Sequence, residues 1–384
     1  VRSYDAVVIG AGIVGSSVAL GLARTGLSRV LVCEQGQPPG LGATAYSGAI
    51  LREHHTCGCD TALAVRGVRF FREWGQEVGG DCGYRQTGFA VLVGPEFLDH
   101  LTKNVAAVND AGGTSVILSA GELAALHPGL LVPPDVLVGY EPYGGYVDPS
   151  LATTSLLRAA SRHGATVFEG VRVTGVLIVG EHVVGVDTSV GAISSEVVVL
   201  CGGAWTKLLL DGLSIDLPLQ PRRIGIARAL TGLAPRALPA CIDDTLGTYF
   251  RPVDDGSVFF GVRLDPWSDC PAAPAPVDPI EAGVAARRLA VRIPALDAAS
   301  LDGNRVGVDA YTPDNRPAIG WMARAGLYVC TGFSGGGIKV APAVGDLVAQ
   351  EIVHGCRRDL LEAYRPGRFS TCDLIESEFP YAHM

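Results

Sequence analysis

Residues 4–34 read YDAVVIGAGIVGSSVALGLARTGLSRVLVCE, and this stretch decides the fold. Ala6–Ile9 is an apolar run that predicts a buried strand. Gly10-Ala11-Gly12-Ile13-Val14-Gly15 follows directly, and residues 16–25 predict a helix of small side chains. Residues 30–33 predict a second strand, which Glu34 ends. Strand, glycine turn, helix and acidic strand end form the dinucleotide-binding pattern in its required order. Gly10 permits the tight turn, Gly12 admits a pyrophosphate to the backbone, and Gly15 lets helix and strand pack closely. The helix start offers N–H groups and a positive dipole end to phosphates. Glu34, 19 residues beyond Gly15, is placed to accept from ribose hydroxyls. Taken alone, the pattern suits FAD or NAD equally.

The chain has 384 residues, 48% of them hydrophobic, which gives room for two domains and a large core. A net charge of −9 argues against nucleic acid or an anionic membrane as a partner. The longest apolar stretch, 9–23, is broken by glycines, so neither a membrane span nor a signal peptide is expected. Ten cysteines are scattered through the chain. Cys33, Cys201 and Cys330 lie in apolar runs and predict buried thiols in a reducing cytoplasm. Cys57-Gly58-Cys59 follows His54-His55 but fits no standard zinc spacing, and no metal is expected.

A Gly/Pro-rich loop, 35–42, leads into small and hydroxylated residues at 43–52, suited to pass along a phosphate and a flat ring. Helices are predicted at 60–75, 103–111 and 120–126, and an alternating strand at 84–93. Asp148 and Pro149 predict a capped helix running to about residue 163. A strand at 166–173, a hairpin at 176–186 and an apolar strand at 197–200 follow, the last opening into Cys201-Gly202-Gly203-Ala204-Trp205. Residues 216–305 are richer in proline and carry alternating strands at 247–251 and 257–264, with a helix at 278–292. A late strand at 327–330 opens into Thr331-Gly332-Phe333-Ser334-Gly335-Gly336-Gly337-Ile338-Lys339, then a helix to His354. This second strand–glycine loop–helix unit has no use in a simple NAD fold and points to FAD. The expected architecture is α/β: a Rossmann-type FAD-binding domain (1–83, 145–215 and 306–365) with an inserted antiparallel-sheet substrate domain (84–144 and 216–305). The tail, 366–384, is polar and expected to be peripheral.

Four stretches, Gly10 to Gly15, Cys201 to Trp205, Thr312-Pro313-Asp314 with Pro317, and Thr331 to Lys339, carry a resemblance over about residues 4–363. With them the chain resembles the FAD-dependent D-amino acid oxidase superfamily, which includes glycine oxidase and monomeric sarcosine oxidase. The resemblance implies that Val14 and Glu34, with Ile13 and Gln35, contact the FAD phosphates and adenosine ribose. Ala43, Thr44, Ser47, Gly48 and Ala49 would line the path to the flavin, and Val173 would meet the adenine. Gly202 and Trp205 would close over the cofactor, with Gly335, Gly336, Gly337 and Ile338 at the flavin's pyrimidine side. Arg52 and Lys339 stand where relatives hold the substrate carboxylate. A cation in the first turn of a helix opposes the dipole, which favours a functional role for Lys339.

The departures matter as well. Gly307 replaces a flavin-bonded cysteine, and Tyr46 a flavin-linked histidine, so noncovalent FAD is implied. Asp309 stands near a carboxylate-binding arginine of glycine oxidase, and that mode is lost. Arg263 falls where a lysine is linked to oxygen activation, which leaves oxidase and dehydrogenase both open. His54, His55, Tyr249, Arg251 and Tyr311 are further candidates near the flavin. Tyr249 and Arg251, two apart on a strand, share a face. The implied reaction is hydride transfer from a neutral amine or amino acid to flavin, with oxygen or another acceptor completing the cycle. The alternatives are a 2-hydroxy-acid dehydrogenase of the same superfamily, a flavin monooxygenase, or a nucleotide-binding module without catalysis.

Overall fold

The computed structural model describes residues 2–384 apart from 41, 235, 265–275 and 304; Cys270 lies outside the described residues. The opening stretch folds as its pattern requires. Ala6–Ile9 and Val30–Glu34 pair in parallel, and the helix Ile13–Arg24 runs between them. They sit inside a six-stranded sheet ordered Ala318–Trp321, Leu327–Thr331, Val198–Leu200, Ala6–Ile9, Val30–Glu34, Thr166–Glu169. All its pairs are parallel except the first. Both faces are covered, which is why these strands read as unbroken apolar runs rather than alternating ones.

Helices Ile13–Arg24, Pro149–Arg162 and Gly337–His354 pack on one face. Asp148 caps the second, its Oδ1 accepting from the N–H groups of Ser150 and Leu151. The first and third cross at glycines. A Cβ on Gly21 would lie 2.4 Å from the Gly345 carbonyl, and one on Gly345 would lie 2.4 Å from the backbone of Ser17. Gly67, on the helix Gly58–Arg72, makes a similar contact: its Cβ would stand 2.0 Å from the Lys339 carbonyl. A four-stranded sheet, which includes the expected hairpin as Val173–Val179 and His182–Thr188, covers the other face.

The second layer is a nine-stranded sheet. It combines Phe89–Val93, Val116–Leu118 and Leu137–Glu141 with strands of the 216–305 region. It differs from expectation in three ways. It is mixed, because Ala240–Asp243 runs parallel to Phe89–Val93. The expected alternation at 84–93 is replaced by the strand Phe89–Val93, buried on both faces between helices and sheet neighbours. The strand Arg305–Tyr311 crosses the expected boundary at 305/306 and pairs with Gln220–Leu230, so by hydrogen bonding it belongs to this sheet.

The expected peripheral tail is a correction. Arg368 is buried and its guanidinium donates to both oxygens of Asp314. Beyond it the chain returns to residues 54–58: the N–H groups of Glu378 and Phe379 donate to the Thr56 carbonyl, and Tyr381 is buried against His54. Polar composition misled here because the tail is anchored by hydrogen bonds and ion pairs rather than by an apolar stripe. The Thr312-Pro313-Asp314 stretch has its structural use in this anchoring.

Candidate active site

Three strands of the six-stranded sheet end in register, with Leu200 beside both Ile9 and Val329. Their glycine turns therefore gather at one edge, the crevice where open α/β sheets bind ligands. Gly10 has φ +101°, and a Cβ on it would lie 2.6 Å from the Cys201 carbonyl. A cavity of about 540 Å³ begins in this crevice. One end is walled by Glu34 and Val173, the middle by Gly12 and Thr44, and the other end by Gly335 and Ile338. The helices Ile13–Arg24 and Gly337–His354 both start there, and neither has a side-chain cap. Glu34 is held rigidly: Oε2 accepts from the Ala11 N–H at 2.8 Å and Oε1 from the Gly36 N–H at 2.9 Å. Two helix starts, one with its Ile13 N–H already donating to Thr44 Oγ1 at 3.2 Å, on a glycine-rich cavity that Glu34 also lines, fit FAD in chemistry.

Of the expected cofactor residues, Gly10, Gly12, Ile13, Val14, Glu34, Gln35, Ala43, Thr44, Ser47, Val173, Gly202, Trp205, Gly335, Gly337 and Ile338 line the cavity. The other five stand behind it or beside it. Gly15 packs against Gly10, where a Cβ would lie 1.9 Å from the carbonyl. The Gly48 carbonyl accepts from Arg251 at 2.6 Å, Ala49 is buried, and Gly336 precedes the helix. Lys339 turns into a separate charged cluster.

In that cluster Lys339 is 6% exposed, and its Nζ donates to the Gly336 carbonyl at 3.3 Å. Burial, then the charge of Arg52, brings its ammonium down to about 7. Burial also weakens the hold of Arg52 on its proton, against the pull of Glu141 and Asp60. The Arg52 guanidinium donates to the His54 carbonyl. His54 is fully buried, and burial and Arg52 together push its imidazole down to about 3. His55 is driven well below the ordinary range by burial, then by Arg52 and Lys339. Both histidines are therefore neutral. Among the described residues, His54 Nδ1 and His55 Nε2 are buried without a hydrogen-bond partner.

The remaining expected residues divide. Tyr249 and Arg251 do share a face and both reach Gly48, but Arg251 is committed: it donates to the carbonyls of Gly48 and Pro252 and stacks on Tyr146 and Phe259. Tyr249 and Tyr311 lie close enough for their charges to interact. The Tyr311 hydroxyl reaches the Gly335 loop, and burial pushes it up to about 12. Arg263 is exposed beyond the strand Ser257–Val262, near Gly247 and His383, outside both cavity and cluster.

Several residues escaped the sequence reading. Asp309, buried in the cavity wall, accepts from the Gly335 N–H at 2.7 Å and so braces the late glycine loop. Burial pushes its carboxyl up to about 6. Glu141 ends an apolar strand; its Oε2 accepts from the Glu53 N–H at 2.7 Å while Oε1 is buried without a partner. Burial raises its carboxyl to about 8, with Glu53 adding and Arg52 opposing. Tyr381 bonds His54 Nε2 at 2.9 Å and accepts from Asn104 at 2.9 Å. Each is one polar residue with no spacing pattern around it, so no local signal marks it.

Comparison with known proteins agrees with this geometry. The family model described as DAO, FAD dependent oxidoreductase, matches residues 5–351. Human mitochondrial sarcosine dehydrogenase is 26% identical over 389 residues, covering 95% of this chain but 41% of that protein. The chain thus spans well under half the length of that relative. The beta subunit of sarcosine oxidase from Arthrobacter sp. is 25% identical, covering 98% of this chain and 93% of the subunit. The crystal structure of L-proline dehydrogenase from P. horikoshii superposes with a TM-score of 0.90 at 28% identity, covering 97% of this chain and 100% of the other.

Proposed function

We infer that this chain, which belongs to the FAD dependent oxidoreductase family, oxidises the C–N bond of an amino acid, or of a secondary or cyclic amine that bears a carboxylate, to an imine. The observation that carries this reading is the electrostatic contact of Arg52 with Lys339, whose Nζ donates to the Gly336 carbonyl in the glycine loop that lines the cavity. When bound, FAD supplies a hydride acceptor. The residues of the chain do the rest. Arg52 and Lys339 converge from distant parts of the sequence as a clamp for one carboxylate. Burial is the main cause that holds both histidines low, with Arg52 adding to it, and the same cationic surroundings disfavour a protonated substrate amine, the neutral amine being the reactive form. His55 Nε2, buried and unpartnered, is available to hold the amine. Tyr249 and Tyr311, which lie near each other with the Tyr311 hydroxyl at the Gly335 loop, are assigned to the rest of the substrate.

Noncovalent attachment is supported by Tyr46 and Gly307, which pack on each other: a Cβ on Gly307 would lie 2.5 Å from that of Tyr46. Oxygen is the acceptor we favour. The buried thiols Cys33, Cys201 and Cys330 suit a reducing cytoplasm. Among the described residues no helix is long and apolar enough to cross a membrane. A 2-hydroxy acid is the second reading, since the clamp recognises a carboxylate and neutral His55 has room for a hydroxyl proton.

The test is anaerobic mixing of the FAD-loaded protein with amines, amino acids and hydroxy acids while flavin absorbance is followed. Bleaching by N-substituted or cyclic amino acids is expected. Bleaching by hydroxy acids alone would move the assignment to the second reading, and bleaching by neither would sink both. Peroxide release on admitting air tests the acceptor.

A further inference from the structure

The pair Cys57 and Cys59 follows directly on the segment that carries Arg52, His54 and His55. Cys57 is the N-cap residue of the helix Gly58–Arg72 and is buried; Cys59 lies in its first turn and is partly exposed. Their sulfurs stand 3.1 Å apart. Glu378 Oε1, from the returning tail, lies 3.8 Å from Cys57 Sγ and accepts from the Gly58 N–H at 3.1 Å. Asp60 accepts from Arg316 Nε at 2.7 Å and from the Tyr364 hydroxyl at 2.9 Å. The Arg316 guanidinium is in electrostatic contact with both sulfurs.

This arrangement separates the two thiols by role. Either sulfur can donate in the bond between them; that shared bond and the backbone N–H groups of the helix start lower the Cys57 thiol, against burial and Asp60. Cys59 is pushed up by the same partner and by burial. Two sulfurs 3.1 Å apart that share one proton supply a thiolate and a resolving thiol together.

Cys57, Cys59 and Asp60 also lie close enough to be considered as metal ligands, but the chemistry is against it. Both Asp60 oxygens are engaged, one by a cation. Two thiolates on a tetrahedral zinc, each at about 2.3 Å, would stand about 3.8 Å apart, wider than the spacing here.

We propose that Cys57 and Cys59 are a redox-active dithiol that closes to an intrachain disulfide on reaction with hydrogen peroxide. The Cys57 thiolate attacks one peroxide oxygen, the O–O bond breaks, and the departing hydroxide takes a proton to leave as water. The Cys59 sulfur then attacks the Cys57 sulfenic acid. The S–O bond breaks, and the hydroxide leaves as water with the Cys59 proton. In sum two thiols and one peroxide give one disulfide and two waters; sulfur loses two electrons and oxygen gains them. A dithiol reductant reverses the bond. The inference does not depend on which substrate the flavin site oxidises.

The test is direct, because cleavage after Arg52 and Arg66 places both cysteines in one tryptic peptide, 53–66, with no other cysteine. The reduced, FAD-loaded protein is treated with peroxide, alkylated, digested and weighed. The expected peptide is unalkylated and two hydrogens lighter than the dithiol, and dithiothreitol restores it. Exposed Cys356 and Cys372 should still be alkylated at the same dose. Cys59→Ser should instead leave a sulfenic acid on Cys57 that dimedone traps. Alkylation of both thiols after peroxide has oxidised Cys356 or Cys372 would overturn the proposal. So would protection from alkylation that a metal chelator removes.

Discussion

The two ends of the site are built from opposite materials. The cofactor cavity is made of glycines, small side chains and backbone N–H groups, mounted on the ends of parallel strands. The chamber beside it, a cluster of charged and polar side chains, has His54, Glu141 and Lys339 buried and Arg52 and His55 half-buried. The cavity is specified by small residues and by one close approach, since a Cβ on Gly10 would lie 2.6 Å from the Cys201 carbonyl. The chamber is specified by presence, and each group in it is costly unless its neighbours compensate it. Binding a nucleotide that varies little can rest on backbone, whereas choosing a substrate needs side chains.

The sharpest way to break this contrast is to remove the two cations. Arg52→Met and Lys339→Met should each lower kcat/KM for a carboxylate-bearing amine by on the order of 10²–10³-fold, since truncating one member of a buried charge contact costs about 2–5 kcal/mol. Flavin content, read by absorbance, should stay at the wild-type level. Loss of flavin in either variant would merge the two regions into one. The converse change is Gly15→Ala. Its Cβ would meet the Gly10 carbonyl at 1.9 Å, so the protein should lose about 1–3 kcal/mol in denaturant unfolding and purify with little FAD.

Proton linkage sharpens the chamber further. Lys339 is held down to about 7 in the folded chain, so it is charged below that pH and neutral above it. Binding of a carboxylate inhibitor that lacks an amine should therefore weaken as pH rises through about 7, by up to about tenfold per unit. Titration calorimetry at several pH values checks this, and in Lys339→Met the dependence should flatten. The smallest effect is expected at the tail. Tyr381→Phe removes the hydroxyl that joins His54 and Asn104 and should cost about 1–3 kcal/mol of stability. A few-fold rise in KM should accompany it, with no change in flavin content.

The same contrast explains what the sequence made legible. Ala6–Ile9, the glycines after it, Glu34 and the late glycine loop are all local patterns, and local patterns survive in one dimension. The capped helix at Asp148 and the hairpin before residue 188 were readable for the same reason. The chamber has no such pattern. Glu141, Asp309 and Tyr381 arrive from three distant segments, each as a single polar residue in an apolar or irregular run. Arg52 and Lys339 were found only because a family resemblance marked their positions. Arg263 shows the limit of that aid, since the matching position carries its charge into solvent. The tail failed for a physical reason: it is held by hydrogen bonds to residues 54–58 and by the Arg368–Asp314 ion pair, which leave no hydrophobic stripe to read.

One contact has a consequence for how such a site can diversify. Gly67 seats its helix against the carbonyl of Lys339 with no room for a methyl group, and that helix begins six residues after Arg52. The two cations are therefore mounted on either side of one helix joint. The contact seats the helix that follows Arg52 against the turn that carries Lys339, backbone against backbone. On the proposed reading, a change in substrate size would be taken up at Tyr249 and Tyr311, which are carried by the nine-stranded sheet. On that reading the carboxylate end of the substrate belongs to the helix joint, and the other end to the sheet.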